Sequence, residues 1–269
     1  MTSSESTQQG DGAASRENRS VYLTTDIGEG FGRWQLADDE SLLEIVTSAN
    51  IACGFHAGDP DIMRKTCAMS VANSVSIGAQ VSYRDLAGFG RRFMDVSQET
   101  LTNDLLYQMG ALQAFAAAAG GQVDYIRAHG ALYNASAKNI EHAAAIVNAT
   151  KLFNADLPLL CQVGTEPWRL ANEAGIRTVA EAFVDRAYTD EGLLLSRTEL
   201  NAMLTDPHEA ASRAVDMVFK GQITSINGNQ IPIQAEGLLV HCDTLGSVEI
   251  ARATRQALLD AGANLMPLR

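Results

Sequence analysis

Short apolar runs alternate with longer amphipathic stretches along most of the chain. Seven runs rich in β-branched and other apolar residues predict strands, near 21–25, 49–54, 75–79, 123–128, 158–163, 176–181 and 237–241. The stretches around them predict helices, near 38–48, 60–73, 97–119, 139–153, 166–174, 207–220 and 246–261. Strand–helix alternation places helices outside a parallel sheet. The pattern therefore predicts an α/β fold, either a closed or nearly closed seven-stranded barrel or an open doubly wound sheet.

Two segments depart from this alternation. Residues 222–235 contain Asn227-Gly228, a dipeptide typical of tight hairpin turns, so a small antiparallel hairpin is expected there. Residues 1–19 hold no bulky apolar side chain beyond Met1 and are expected to form a disordered tail. Residues 20–269 show no linker-like stretch, and we expect them to form a single domain.

Composition narrows the possible partners and the compartment. The chain has 20 Lys and Arg against 32 Asp and Glu, a net charge of −12, which disfavours nucleic acid. No apolar run approaches the roughly 20 residues that span a bilayer, and the polar start does not resemble a secretion signal. We therefore expect a cytoplasmic protein that binds no membrane. Without CxxC pairs, the cysteines are expected to be reduced and mostly buried: Cys53, Cys67, Cys161 and Cys242.

Three of the five histidines follow predicted strands. They are His56, His129 and His241, and each stands beside a polar or glycine-containing turn. Catalytic groups in α/β proteins collect where parallel strands end. We therefore expect one pocket that contains all three. The other two, His142 and His208, fall on amphipathic helices and are expected to be solvated.

Charged residues follow several of the same strands. Asp26 and Glu29 lie on a turn rich in glycine, where they could contact a ligand or cap the next helix. Asp59-Pro60 suits a helix start as well as a binding site. The pair Arg91-Arg92 could bind a carboxylate or phosphate, or form a salt-bridged surface loop.

The sixth and seventh strands deliver further charges. Glu181, Asp185 and Arg186 could form an ion-pair network under the pocket or contact the substrate. His241 and Asp243 are two residues apart, so on a strand both would face the barrel mouth. The sequence contains neither the phosphate-binding pattern GxxxxGK[ST] nor the GxSxG elbow. Any nucleotide chemistry must be weakly marked here or supplied by another chain.

With these segments in place, the chain resembles the LamB/YcsF family, the A subunits of bacterial ATP-dependent 5-oxoprolinase, as a divergent member. The resemblance runs from about Leu23 to Leu268. It is carried by DIGEGFG (26–32), TSANIACGFHAGDP (47–60), SYRDLAGFGRR (82–92), HGALYN (129–134), EAFVDRAY (181–188) and HCDT (241–244).

The resemblance implies a distorted seven-stranded (β/α) barrel related to polysaccharide deacetylases. It further implies hydrolytic opening of 5-oxoproline, or a related lactam, to the amino acid. ATP would be a co-substrate handled with B and C partner subunits, and a homo-oligomer is compatible with it. The implied catalytic residues are Asp26, His56, His129 and His241. The implied substrate-binding residues are Glu29, Asn50, Asp59, Gln80, Arg127, Tyr133, Asn134, Glu181, Asp185, Arg186 and Asp243.

This chain departs from the family pattern at four strand ends. Thr24-Thr25 replace Asn-Cys, Gln80-Val81 replace His-Pro, Arg127-Ala128 replace Lys-Pro, and Cys242 replaces Gly. Because these positions follow strands, the changes cluster in the predicted pocket. They leave two alternatives open: a paralogue acting on a different cyclic or small-molecule amide, and a non-catalytic binding subunit.

The change at residue 80 bears on metal binding. Related deacetylases hold a metal through one Asp and two His, and the corresponding residues here would be Asp26, His56 and Gln80. An amide oxygen is a weak ligand for zinc. We therefore predict no metal ligands from the sequence.

Overall fold

The computed structural model describes residues 19–269, and residues 1–18, nearly all of the predicted tail, lie outside the described part. This described part contains ten strands. They are Ser20–Ile27 (β1), Ser48–Ala52 (β2), Ser76–Val81 (β3), Val123–Ala128 (β4), Leu159–Cys161 (β5), Thr178–Phe183 (β6), Gln222–Thr224 (β7), Gln230–Pro232 (β8), Gly237–Val240 (β9) and Asn264–Leu265 (β10).

Seven parallel strands form a closed barrel. They follow the order β1-β2-β3-β4-β5-β6-β9, and β9 pairs with both β6 and β1. The short β10 pairs with the beginning of β1. The predicted seven-stranded barrel is thereby confirmed. The antiparallel pair β7–β8 confirms the hairpin, with Gly228 at a φ of +85° in its turn.

Eight α-helices within residues 19–269 connect or flank the strands. They are Asp39–Leu43 (α1), Pro60–Ala72 (α2), Gln98–Ala118 (α3), Gly130–Ser136 (α4), Ile140–Asn154 (α5), Glu166–Glu173 (α6), Pro207–Val215 (α7) and Ser247–Asp260 (α8). Within the described residues no helix is long and apolar enough to cross a membrane.

Three helix predictions need correction. The helix predicted at 38–48 ends at Leu43, because Thr47 is already tied to the backbone of Leu23 through its amide and its hydroxyl. In the segment predicted as a helix at 207–220, the α-helix ends at Val215, and residues 216–220 form a single π-helical turn. The segment after His129, interpreted as a turn, begins the helix α4.

The end of the barrel where the strands begin is closed by packed side chains. Leu268 is fully buried near Tyr125, and its amide donates to the hydroxyl of Ser48 at the start of β2. The ring of Tyr125 crosses the barrel over Gly78, where an added Cβ would lie 2.2 Å from that ring. Because this end is filled, the open space lies at the opposite end, where the strands finish.

The four cysteines are buried free thiols, as predicted. Cys53, Cys67 and Cys161 lie in the hydrophobic core, and burial raises the pKa of the Cys67 thiol to about 12. Cys242 is also buried, but its thiol faces a carboxylate of the site described next.

Candidate functional site

The carboxyl ends of the strands surround a cavity of about 560 Å³. This volume lies in the range of roughly 300–1,000 Å³ that is typical of small-molecule sites. Seven of the residues predicted for the site line it: Asp26, Arg127, His129, Tyr133, Asn134, Arg186 and His241. Six others contact these or one another beneath the surface: Glu29, Asn50, His56, Gln80, Glu181 and Asp185.

One group of side chains is built around the carboxylate of Glu29. Oε1 of Glu29 lies 3.5 Å from Nε2 of His129 and 3.9 Å from Nε2 of His56. The amide of Gln80 donates to the same Oε1 at 2.9 Å, and its oxygen lies 3.1 Å from Nε2 of His56. The thiol of Cys242 donates to Oε2 at 3.1 Å. Polar side chains from several strand ends thus meet at one buried carboxylate.

The backbone fixes both imidazoles of this group. The amide of His129 donates to the carbonyl of Val81 at 2.8 Å, which extends the pairing of β3 and β4. The amide of Gly54 closes a turn onto Ala57 at 2.9 Å and so places His56. The two rings stack with their centroids 4.1 Å apart.

Gly90 permits the close approach of the loop after β3 to these rings. Its φ is +64°, and an added Cβ would lie 2.8 Å from Cβ of His56 and 3.0 Å from Nδ1 of His129. Its carbonyl accepts from the amide of Ala131 at 2.8 Å. A side chain at this position would therefore displace the rings or the start of α4.

Burial sets the charge of the group. Burial and the neighbouring His56 hold the pKa of His129 well below its usual value, so the ring is neutral near pH 7. Burial would raise the pKa of Glu29, but its bonds with His56, Cys242 and Gln80 outweigh this and keep the pKa below its usual value. The result is one anionic carboxylate facing two imidazoles.

Glu29, His56 and His129 form a candidate metal site. Their ligand atoms all lie within 4.8 Å of one another, and all three side chains are buried. Nδ1 of neither histidine has a hydrogen-bond partner. Nε2 of His56 donates to the amide oxygen of Gln80, so a cation bound there would take the place of that proton and Nδ1 would carry it instead. One carboxylate and two imidazoles suit zinc and similar divalent cations.

The sequence predicted no metal ligands, and this trio also differs from the positions that correspond to the metal ligands of related deacetylases. Asp26 does not join His56, because its Oδ1 accepts from Nδ2 of Asn50 at 2.9 Å and from Nη1 of Arg127 at 3.1 Å. Glu29, three residues later on the same turn, reaches the histidines instead. Gln80 bonds to members of the trio, as its position on β3 suggested.

A buried ion network lies beside this group. Nε of Arg127 donates to Glu181 at 2.6 Å, and the same guanidinium bonds to Asp26. The hydroxyl of Tyr125 donates to the amide oxygen of Asn50 at 2.8 Å, which orients the amide that holds Asp26. Burial raises the pKa of Asp26 and of Glu181 in spite of Arg127. The network holds one guanidinium against the cavity wall.

The third histidine belongs to a separate dyad. Nδ1 of His241 lies 2.9 and 3.1 Å from the two oxygens of Asp185, whose Oδ2 also accepts from the hydroxyl of Thr244 at 2.7 Å. Burial opposes the charge on Asp185, but the bonds with His241 and Thr244 keep its pKa below the usual value. The carboxylate therefore fixes the proton on Nδ1 and leaves Nε2 free to accept one.

A cationic wall completes the cavity. Arg91, Lys138, Arg186 and Arg197 line it. Asp243 binds Nη1 of Arg197 at 2.9 Å and Nη2 of Arg91 at 2.5 Å. Burial opposes the charge on Asp243, but these two arginines lower its pKa to about 2.

The sequence indicated only part of this wall. Arg186 was identified from its place after β6, and Arg91 was left between a binding role and a surface role. Lys138 and Arg197 were missed, because they lie in segments with no strand-end pattern. Arg92 forms a salt bridge with Asp85, which is the surface alternative.

Two residues have structural roles. Asp59 caps α2 by accepting from the amides of Asp61 and Ile62, and it also accepts from Gly32 at 2.7 Å. It does not line the cavity. His142, predicted to be solvated, is buried, because it lies on the packed face of α5. Its Nδ1 lies 2.7 Å from the hydroxyl of Tyr83. His208 is exposed, as predicted.

Fold and site together define a closed α/β barrel with a histidine-rich, cationic pocket at the carboxyl ends of its strands. The LamB/YcsF family model matches residues 21–269, and the chain belongs to that family. It is 52% identical over 246 residues to the A subunit of 5-oxoprolinase from Mycolicibacterium gilvum, covering 91% of this chain and 98% of that one.

Solved structures agree with the fold. The lactam utilization protein of Thermus thermophilus superposes with a TM-score of 0.87 at 40% identity, covering 92% of this chain and 99% of that one. A T48 deacetylase solved with substrate gives a TM-score of 0.50 at 14% identity, covering 93% and 89%. This second likeness concerns the fold alone and agrees with a deacetylase-like barrel.

Proposed function

We propose that the chain is the A subunit of an ATP-dependent 5-oxoprolinase. It would open 5-oxoproline, or a closely related lactam, to the amino acid, together with B and C partner subunits. The observation that carries the proposal is the His241–Asp185 dyad, which faces a cationic cavity shared with His129 and Arg127. The name of the Mycolicibacterium gilvum relative supports the same reaction.

The chemistry explains why ATP is needed. A lactam carbonyl is a poor electrophile. Transfer of the γ-phosphoryl group of ATP to the carbonyl oxygen turns that oxygen into a leaving group. Water then adds to the carbon, and the C–N bond breaks as the nitrogen takes a proton, which leaves an acyl phosphate. A second water hydrolyses this acyl phosphate to the carboxylate, and phosphate departs. The overall products are glutamate, ADP and phosphate, and the nucleotide is handled with the partner subunits.

His241 is the proposed general base. Its Nδ1 proton is held by Asp185, so Nε2 can accept a proton from the attacking water. The resulting imidazolium can return the proton to the leaving nitrogen. Asp185 stays charged throughout and stabilises the imidazolium, as its lowered pKa permits.

Arg127 and the Glu29 group supply the remaining charges. The guanidinium of Arg127 lines the cavity and would stabilise negative charge that develops on the carbonyl oxygen. Glu29, His56 and His129 would hold a divalent cation, which when bound supplies further positive charge for an anionic oxygen. His129, neutral near pH 7, keeps a lone pair for such a role.

Glutamate release from 5-oxoproline tests the proposal. This chain is mixed with ATP and with B and C subunits from its own source, and each component is omitted in turn. We expect release that needs all components and is lost with His129→Ala but retained with His208→Ala, a change on an exposed helix.

A complete mixture of folded subunits that releases no glutamate would refute the 5-oxoproline assignment. Gln80 is the residue that would account for this outcome, because it bonds to both His56 and Glu29 at a position where the resemblance implies His. The same mixture is then supplied with lactams of other ring sizes. Opening of one of them would identify a paralogue with a different substrate. If none is opened, the remaining alternative is a non-catalytic binding subunit.

A further inference from the structure

Arg186 is a buried guanidinium without an acidic partner among the described residues. Only 6% of the residue is exposed. Its Nη2 donates to the carbonyl of Leu195, and its Nε has no hydrogen-bond partner. The carboxylates of the salt bridges in residues 19–269 bind other cations. Buried charges are normally paired, so this one is an exception that needs an explanation.

The neighbouring acids are already committed. Asp185 precedes Arg186 in the chain, but its two oxygens are occupied by His241 and Thr244. Asp243 is shared by Arg91 and Arg197. Burial and the nearby Arg197 lower the pKa of Arg186 to about 10, so the guanidinium remains charged at neutral pH.

Arg186 lines the same cavity as the proposed reaction groups. Arg127, His129 and His241 lie on the cavity wall with it. The wall also contains the apolar side chains of Phe183, Leu193 and Leu194. Lys138, which also lines the cavity and forms no salt bridge among the described residues, is exposed. Arg186 therefore offers a buried, uncompensated positive charge beside an apolar surface, a combination that suits a small ring bearing an anionic group.

We propose that Arg186 binds the carboxylate of the lactam acid and so determines that the substrate is an anionic lactam. This inference rests on the proposed function and deepens it. The carboxylate would take the place of the missing acidic partner beside the guanidinium of Arg186, which lines the cavity. The ring would pack against the leucines, and its amide would face the histidines.

The charge balance favours a carboxylate over a phosphate chain. Arg91 and Arg197 share the carboxylate of Asp243, and Arg127 bonds to two carboxylates. Arg186 is therefore the buried arginine of the cavity that has no carboxylate partner among the described residues. A single unpaired buried charge matches a monoanion. A triphosphate carries several more negative charges than this one buried guanidinium can balance.

Ligand-induced thermal stabilisation and calorimetry test the proposal on the whole chain. The probes are 5-oxoproline, the neutral lactam 2-pyrrolidinone, glutarate and inorganic phosphate. We expect Arg186→Gln to weaken binding of 5-oxoproline by about 10- to 100-fold, the range for a hydrogen-bonded charge. Binding of 2-pyrrolidinone should not change, and Arg186→Lys should restore part of the affinity.

A second readout separates binding from a structural role. Removing an unpaired buried charge should not destabilise the chain without ligand, so Arg186→Met is expected to unfold at the same or a higher temperature than the wild type. Arg169→Gln, a change on the exposed face of α6, is the matched control and should leave binding unchanged. A variant at residue 186 that unfolds earlier yet binds 5-oxoproline normally would overturn the proposal.

The outcomes also distinguish this proposal from the proposed function. If the complete mixture releases glutamate and Arg186→Gln leaves KM for 5-oxoproline unchanged, the carboxylate site is wrong and the function stands. If neither lactam binds but glutarate stabilises the wild type through Arg186, the carboxylate site stands and the lactam assignment fails. Phosphate that displaces 5-oxoproline only when Arg186 is present would overturn the carboxylate assignment.

Discussion

The cavity contains two histidine groups that differ in how their second ring nitrogens are held. Nδ1 of His241 bonds to both oxygens of Asp185. Nδ1 of His56 and of His129 has no partner, and their Nε2 atoms converge on Glu29. An imidazole oriented by a carboxylate is prepared to accept a proton at its other nitrogen. Two imidazoles beside one buried carboxylate are a ligand set that suits a divalent cation.

This difference assigns separate tasks to residues that look alike in the sequence. All three histidines follow strands, and all three are buried. Their partners distinguish them, since Asp185 comes from the segment after β6 and Glu29 from the turn after β1. The variants below break one group while leaving the other intact.

Asp185→Asn should have the largest effect. The amide can no longer hold the proton on Nδ1 of His241, so the glutamate-release rate should fall by about 10²- to 10⁴-fold. Thermal unfolding and circular dichroism check the fold of the variant. Asp216→Asn, which removes a helix-surface ion pair, is the control and should retain activity. A rate within a fewfold of the wild type would exclude His241 as the base.

Arg127→Met should destabilise the chain most strongly. It leaves Asp26 and Glu181 buried without their common cation, and a broken buried pair typically costs about 3–5 kcal/mol. Urea denaturation measures the change in the free energy of unfolding. Arg169→Met removes an exposed pair and should have little effect. Equal stability of the two variants would show that the Arg127 network does not support the site.

His56→Ala should selectively weaken cation binding. Loss of even a supporting residue typically reduces metal affinity about 10- to 100-fold, and loss of a direct ligand should reduce it at least as much. Calorimetric titration with Zn²⁺ measures the affinity, with His208→Ala as the control. Zn²⁺ binding of the same strength in His56→Ala would refute the candidate metal site.

Asp39→Asn, at the first residue of α1, should have the smallest effect. Asp39 accepts from the amide of Gly28, and burial raises its pKa from 3.8 to about 6. The folded state therefore binds the proton more tightly than the unfolded state. The stability linked to Asp39 is present below about pH 4 and is lost as the pH rises through about 6.

Asparagine keeps the acceptor without the charge. We expect Asp39→Asn to remove this pH dependence between pH 4 and 6 and to raise stability at pH 7 by about 1–2 kcal/mol. Denaturation curves across this pH range measure it. A variant that retains the wild-type slope would assign the slope to another group, and glutamate release should be unaffected.

The barrel could be predicted from the sequence because its strands and its helices carry different patterns of apolar residues. Apolar strands and intervening amphipathic helices repeat from Ser20 to Asp260, and Asn227-Gly228 marks the hairpin. Helix ends were less predictable, since contacts from distant strands set them. The bond between Thr47 and Leu23, which stops α1 early, joins residues that no local pattern connects.

The site was predictable to the extent that strand ends converge. His56, His129 and His241 were placed by that rule, and Arg127 by the resemblance to the family. The sequence did not show that Glu29 rather than Asp26 joins the histidines, because this depends on which carboxylate Arg127 neutralises. Arg197 and Lys138 reach the cavity from irregular segments, where periodicity gives no direction.

Metal dependence of two histidine variants tests the central claim most directly. Glutamate release by the complete mixture of this chain with its B and C partners is measured for His56→Asn and His241→Asn as the Zn²⁺ concentration is raised. We expect His56→Asn to recover activity at higher metal concentration, because only its cation affinity is weakened. His241→Asn should remain inactive at every concentration, because its proton acceptor is gone. Equal recovery of both variants, or full activity of His241→Asn without added metal, would contradict the separate tasks assigned to the two groups.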